Sequence, residues 1–320
     1  MNSKRKQTIA QSEISEFRTY SLNGYKQQVL LDGMKSSNPI LLFLHGGPGG
    51  PIPFCEGCRG MFPEWTSHYT MAIWDQLGCG KNNQTIDDSF RLDTFVKMSV
   101  DLVKNLKKDF PNNKLVIFGN SWGSILAAKT AEQVPELIDK VFIYGQLFKN
   151  FGYNQEVFSA LEAASLNSKE KTILKNAEEN KTHTSKDTYD LMSLVQKHTE
   201  GYQAKNCEKF PVGKLMKGIF GSPDCSLKEF FGLFNNGYKE NTTLMVDMVN
   251  VDLTDTLSNI KVPYEIIQGS TDIVTSTSTI SHFVAGSSNN NLSIKIVPNS
   301  GHFFTGEALR TIKEELFAFK

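Results

Sequence analysis

The 320-residue chain lacks a surplus of either charge: 34 Lys and Arg stand against 34 Asp and Glu. Proteins that grip nucleic acid or anionic lipid through surface charge carry a basic excess, so neither partner is expected. Long hydrophobic runs are missing too. The most apolar stretches, such as Ile40–Leu44, are far shorter than the roughly 20 residues needed to cross a bilayer. No export signal is apparent, because the basic opening Met1-Asn2-Ser3-Lys4-Arg5-Lys6 leads into polar residues and an early acid, Glu13. A cytoplasmic protein is the expectation. Cysteine is scarce, with five residues (Cys55, Cys58, Cys79, Cys207, Cys225) at irregular spacing, which fits a reducing compartment better than a disulfide framework. Cys55 and Cys58 form a Cys-x-x-Cys pair. A structural zinc site wants two such pairs, and a redox pair belongs at the start of a helix in a thioredoxin-like unit. This one follows a Gly/Pro-rich loop and is read as coincidental; no metal or cofactor is expected.

What is present is an alternation of strand and helix signals. β-Rich runs at residues 28–32, 40–44, 70–74, 115–118 and 141–144 are mostly apolar throughout, as strands buried on both faces of a parallel sheet should be. Phe95, Ser99, Leu102, Val103, Leu106 and Phe110 recur at helical spacing before Pro111. Strand signals stop from 149 to 255, where helical and aromatic-rich sequence takes over. They return at 264–268 and 293–297, and a closing helix is predicted over 307–319. The expected architecture is therefore one α/β domain, residues 1–148 plus 256–320, with a mostly parallel sheet, helices on both faces and a helical insert at 149–255. No internal repeat is seen. Residues 1 to about 15 are polar and are read as mobile.

The strongest single signal is the run from Leu115 to Ser124, a buried strand entering Gly119-Asn120-Ser121-Trp122-Gly123 and then a small-residue helix. A Gly-x-Ser-x-Gly turn between strand and helix exposes its serine above the sheet as a nucleophile, with the helix N-terminus behind it. Upstream, the apolar run 40–44 ends in His45-Gly46-Gly47-Pro48-Gly49-Gly50. Acyl transfer needs two backbone N–H groups aimed at the developing oxyanion; Trp122 and Gly47 are predicted to supply them. The loop completes no phosphate-binding glycine pattern, and His45 is assigned to loop support.

This turn requires an acid and then a histidine later in the chain. Of six histidines (45, 68, 183, 198, 282 and 302), His302 alone follows the last strand signal in a loop, after Val297-Pro298-Asn299-Ser300-Gly301. Asp272 sits just past the strand signal at 264–268, in the correct order, where it could hold the imidazole tautomer; the bland reading of it is a helix N-cap. Asp252 and Asp255 precede that strand and are weaker candidates.

With these residues in place the chain resembles the prolyl iminopeptidase family of α/β-hydrolases, over roughly residues 25–148 and 256–320. Three motifs carry the likeness: residues 45–50 (His-Gly-Gly-Pro-Gly-Gly), 74–80 (Trp-Asp-Gln-Leu-Gly-Cys-Gly) and 119–124 (Gly-Asn-Ser-Trp-Gly-Ser). The resemblance implies the α/β-hydrolase fold, cofactor-free release of N-terminal residues from small peptides, a helical cap at 149–255, and substrate contacts at Gly46 and Gln76. The family's Asp-Gln-Arg-Gly reads Asp75-Gln76-Leu77-Gly78 here, and Asn120 replaces a common glycine. Family peptidases hold the substrate amine with cap glutamates, one usually in a Trp-Glu pair. All three tryptophans (Trp65, Trp74, Trp122) lie outside the cap, so Glu200, Glu208, Glu229 and Glu240 are the remaining candidates. An aminopeptidase ranks first on the motif match and a carboxylesterase or other small ester or amide hydrolase second. A catalytically silent ligand-binding protein is disfavoured by the intact triad.

Overall fold

A computed structural model describes residues 2–179, 184–234, 238 and 241–319; His183 and Glu240, both singled out above, lie outside the described residues. Eight strands, β1 (Ile14–Leu22), β2 (Tyr25–Gly33), β3 (Ile40–Leu44), β4 (Thr70–Ile73), β5 (Leu115–Asn120), β6 (Lys140–Tyr144), β7 (Tyr264–Gly269) and β8 (Leu292–Val297), form one sheet. Their order is β1-β2-β4-β3-β5-β6-β7-β8. β1 and β2 pair antiparallel, as do β2 and β4, and the others pair in parallel.

Strands β3 and β5 are buried at every position, and their alternate side chains feed opposite faces of the sheet. Leu42, Leu44 and Ile117 join the larger core, whereas Leu41, Phe43, Val116 and Phe118 join a second one. Helices α1 (Asn2–Gln11), α2 (Pro63–Thr66), α3 (Leu92–Asp109) and α4 (Trp122–Gln133) come first along the chain. The apolar stripe of α3 and the small-residue helix α4 fill the larger core. Between β6 and β7 the described elements are all helices: α5 (Gln155–Glu162), α6 (Ser168–Glu179), α7 (Ser185–His198), α8 (Val212–Phe220), α9 (Leu227–Gly232), α10 (Thr242–Val249) and the short α11 (Thr254–Ser258). Helices α12 (Thr277–Gly286) and α13 (Gly306–Ala318) close the chain, α13 burying Ala308, Ile312 and Leu316 in the second core. Among the described residues no helix is long and apolar enough to cross a membrane.

Two features depart from the reading of the sequence. Residues 1–15, expected to be mobile, include α1 and the start of β1, and Arg5 of α1 pairs with Asp224 in the α8–α9 connection. The hairpin β1–β2 turns on Asn23-Gly24, both at positive φ (46° and 84°), the pairing an inward-twisting two-residue turn demands. β1 went unread because most of its side chains are polar or only partly buried, as at a sheet edge.

Candidate active site

Loops at the carboxyl ends of five parallel-sheet strands converge on one point, the position where open α/β sheets bind ligands. Ser121 stands directly after β5 with φ 51° and ψ −117°. Its neighbour Gly123 has no room for a side chain, because a Cβ there would strike the backbone at Leu44 and His45. The sharp turn is thus forced by how closely α4 approaches β3.

His302 lies past β8 and Asp272 past β7. The His302 Nε2 atom is 2.9 Å from Ser121 Oγ, and its Nδ1 atom is 2.9 Å from Asp272 Oδ2. All three residues are buried. Asp272 is held in turn: Oδ1 accepts from the Val274 and Thr275 N–H groups at 2.8 and 3.0 Å, and Oδ2 accepts from the Thr275 hydroxyl at 2.7 Å. The local turn that suggested a mere cap therefore also aims the carboxylate. Thr275 and Gln268, whose amide reaches Asp272 Oδ2 at 3.3 Å, were not singled out from the sequence. The hydroxyl three residues after the acid was the available signal.

Gly46 and Gly47 line the cavity beside Ser121. Trp122 follows Ser121 as the first residue of α4, where a helix leaves its N–H without an intrahelical acceptor. Gln76 stands elsewhere than expected. It is fully buried and does not line the cavity; its Oε1 accepts from the Trp122 indole at 2.9 Å, and its Nε2 donates to the His45 carbonyl at 3.2 Å. His45 Nε2 accepts from the Gln76 N–H at 3.0 Å and its Nδ1 donates to Gly46 O at 2.9 Å. Burial lowers the His45 imidazole to about 4, so it is neutral, as that acceptor role requires. Asp75 next to Gln76 is also buried, which raises its carboxyl to about 6.

The cavity over Ser121 has a volume of about 570 Å³. Phe151 and Tyr202 flank the His302 ring edge to face, and Phe210, Leu233 and Phe234 extend the apolar wall. Neutral polar groups come from Ser193, Gln196 and Gln203. Of the glutamates proposed to grip a substrate amine, the three that are described, Glu200, Glu208 and Glu229, do not line the cavity. Glu200 accepts from the Lys205 N–H, Glu208 pairs with Arg310, and Glu229 caps α9 and pairs with Lys81. Each is drawn to a partner outside the cavity, as exposed or half-exposed carboxylates generally are. Cys55 and Cys58 are free thiols 3.5 Å apart, packed in an apolar cluster with Leu215, Ile219 and Leu233. No group of His, Cys, Asp and Glu able to hold a metal occurs among the described residues.

Comparison with known proteins gives a match to the alpha/beta hydrolase fold family over residues 39–307. "Probable aminopeptidase YbaC" of Bacillus subtilis is 34% identical over 126 residues, 39% of either sequence. The chain thus spans well under half the length of that relative. The proline iminopeptidase of Lactobacillus acidophilus is 26% identical over 260 residues, 79% of this chain and 80% of the relative. Among solved structures, a proline iminopeptidase-related protein from Thermus thermophilus superposes with a TM-score of 0.64 at 17% identity, over 95% of this chain and 97% of its own. At that identity the likeness speaks to the fold alone.

Proposed function

The chain belongs to the alpha/beta hydrolase fold family, and from that premise we propose that this hydrolase is a cofactor-free serine hydrolase acting on small esters or amides through an acyl-enzyme. The observation that carries the reading is the continuous hydrogen-bonded line Ser121–His302–Asp272, with 2.9 Å at each step. Ser121 Oγ attacks the substrate carbonyl as His302 Nε2 takes its proton. Asp272, fixed by three donors, keeps the Nδ1–H tautomer and stabilises the imidazolium. The Gly47 and Trp122 N–H groups hold the oxyanion, aided by the N-terminus of α4. Collapse expels the leaving group, which takes the proton from His302. Water, activated by the same histidine, then releases the acid. Residues 1–148 and 256–320 form the catalytic domain in this reading, and 149–255 the cap above it.

Two substrate classes fit this chemistry. Aminopeptidase action is supported by relatives named as proline iminopeptidases. Ester or blocked-amide hydrolysis is supported by the absence of Asp, Glu, Lys and Arg from the described cavity lining. The test is labelling with a fluorophosphonate probe, comparing wild type with Ser121→Ala. Wild type is expected to label and the variant not to. A wild-type protein that neither labels nor turns over any p-nitrophenyl ester or aminoacyl anilide would sink the proposal.

A further inference from the structure

Among the described residues, the cavity over Ser121 presents no charged side chain to meet a charged substrate. Its described lining is wholly without Asp, Glu, Lys or Arg, and His302 is occupied by Ser121 and Asp272. An ammonium or carboxylate group carried in next to the scissile carbonyl would lose its water with no countercharge from these residues in return, which is strongly unfavourable.

The wall is also continuous with the surface. Val212 and Phe234 both line the cavity and yet are 51% and 47% exposed. Phe234 packs on Phe230, with ring centroids 5.7 Å apart, and Phe230 packs in turn on Phe220 and Phe231 at 5.2 and 5.6 Å. Phe220 and Phe231 are 54% and 59% exposed on the outer side of α8 and α9. Isolated exposed apolar residues need no explanation, but a file of rings leading out of a catalytic cavity does.

We propose that the preferred substrates are uncharged esters or N-blocked amides with an extended apolar acyl chain, which fills the cavity and leaves it over Val212 and Phe234 along the aromatic file of α8 and α9. The inference rests on the serine-hydrolase reading and narrows it. The acyl carbon stays at Ser121 and the chain runs outward. Each methylene buried against this wall strengthens binding by about three- to fourfold, provided that it is also buried in the transition state.

The experiment measures kcat/KM for p-nitrophenyl esters from acetate to decanoate, each below its micelle concentration, beside leucine p-nitroanilide with a free or an acetylated amine. Wild-type kcat/KM is expected to climb about threefold per methylene to about eight carbons, and the acetylated anilide to outrun the free one. In Phe234→Ser the octanoate-to-acetate ratio should fall about tenfold. Val212→Ser, at a half-exposed position, should move the ratio the same way should Phe234→Ser fold poorly. A flat chain-length series overturns the inference. So does preference for the free amine, and loss of that preference in Glu240→Gln would then assign amine recognition to the cap. Fluorophosphonate labelling of Ser121 in the same preparations separates the two levels: labelling with a flat series removes only the substrate class, whereas absence of both labelling and turnover removes the hydrolase reading itself.

Discussion

Ser121 is held at positive φ, a conformation costly for any residue with a side chain and kept only where the surroundings impose it. Its two partners divide the work. In Asp272→Asn the amide would face His302 Nδ1 and favour the wrong tautomer, so kcat is expected to drop by about 10⁴ with the fold intact, checked by ester turnover beside circular dichroism. His45 and Gln76 link the strand end before the Gly46–Gly47 loop to the Trp122 indole, and in the proposed mechanism they would be positioning residues. Gln76→Ala should cut kcat about 10- to 100-fold while KM moves little, because the oxyanion donors matter most in the transition state. A variant that raises KM alone would speak against the role. His45 also sets a pH dependence. Burial lowers its pKa from 6.5 to about 4, so the unfolded chain binds the proton more readily. Its contribution, about 3 kcal/mol, is complete above pH 6.5 and is lost as pH falls through 4. Asp75 works in the opposite sense: burial raises it from 3.8 to about 6, and its contribution is lost as pH rises through that value. The two partly cancel in the wild type, so the readout is a difference. Urea unfolding at stepped pH should show the gap between wild type and His45→Gln narrowing from pH 7 to pH 4.

At the scale of elements, the β5–α4 turn was legible because its strand, glycines and helix are contiguous, and local sterics dictate such a turn wherever α4 packs this closely on β3. The α1 helix was not legible. Its residues are polar, and its place depends on Asp224, more than two hundred positions away, which receives ion pairs from both Arg5 and Arg59. Arg59 is buried and also donates to the Ser15 carbonyl and hydroxyl. Asp224→Ala would leave two guanidinium groups short of their carboxylate in a largely dry setting. A loss of about 2 kcal/mol is expected, measured by urea denaturation, with Asp224→Asn intermediate. An unchanged midpoint would mean that the pair contributes nothing net.

Across the whole molecule, the insert and the catalytic loops share a backbone seam. The N–H groups of His302 and Phe303 donate to the carbonyls of Gly201 and Tyr202 at 2.9 Å each, so the helical block helps to hold the loop that carries His302. Gly301 lies in this seam, where a Cβ would come within 2.7 Å of Gly201 O and 2.8 Å of Gln203 N. Gly301→Ala should therefore push the insert off the His302 loop and lower kcat at least about tenfold, since small displacements of a catalytic group are costly. Far-UV circular dichroism should remain that of the wild type. Full activity in this variant would show the seam to be pliable.

The sequence by itself determined the parallel sheet, the helical block between β6 and β7, and the candidates Ser121, Asp272 and His302 with their oxyanion donors. Each of these is written in a short stretch: an apolar run of strand length, a turn whose glycines sterics require, a residue just past a strand end in an obligatory order. Only the tertiary structure decided what depends on partners distant in the chain. It drew Glu200, Glu208 and Glu229 to other partners, buried Gln76 as a strut, tied α1 to Asp224, and joined the rings of α8 and α9 to the cavity. A side chain's type says which partners it can accept; where packing brings those partners is settled by the whole chain at once.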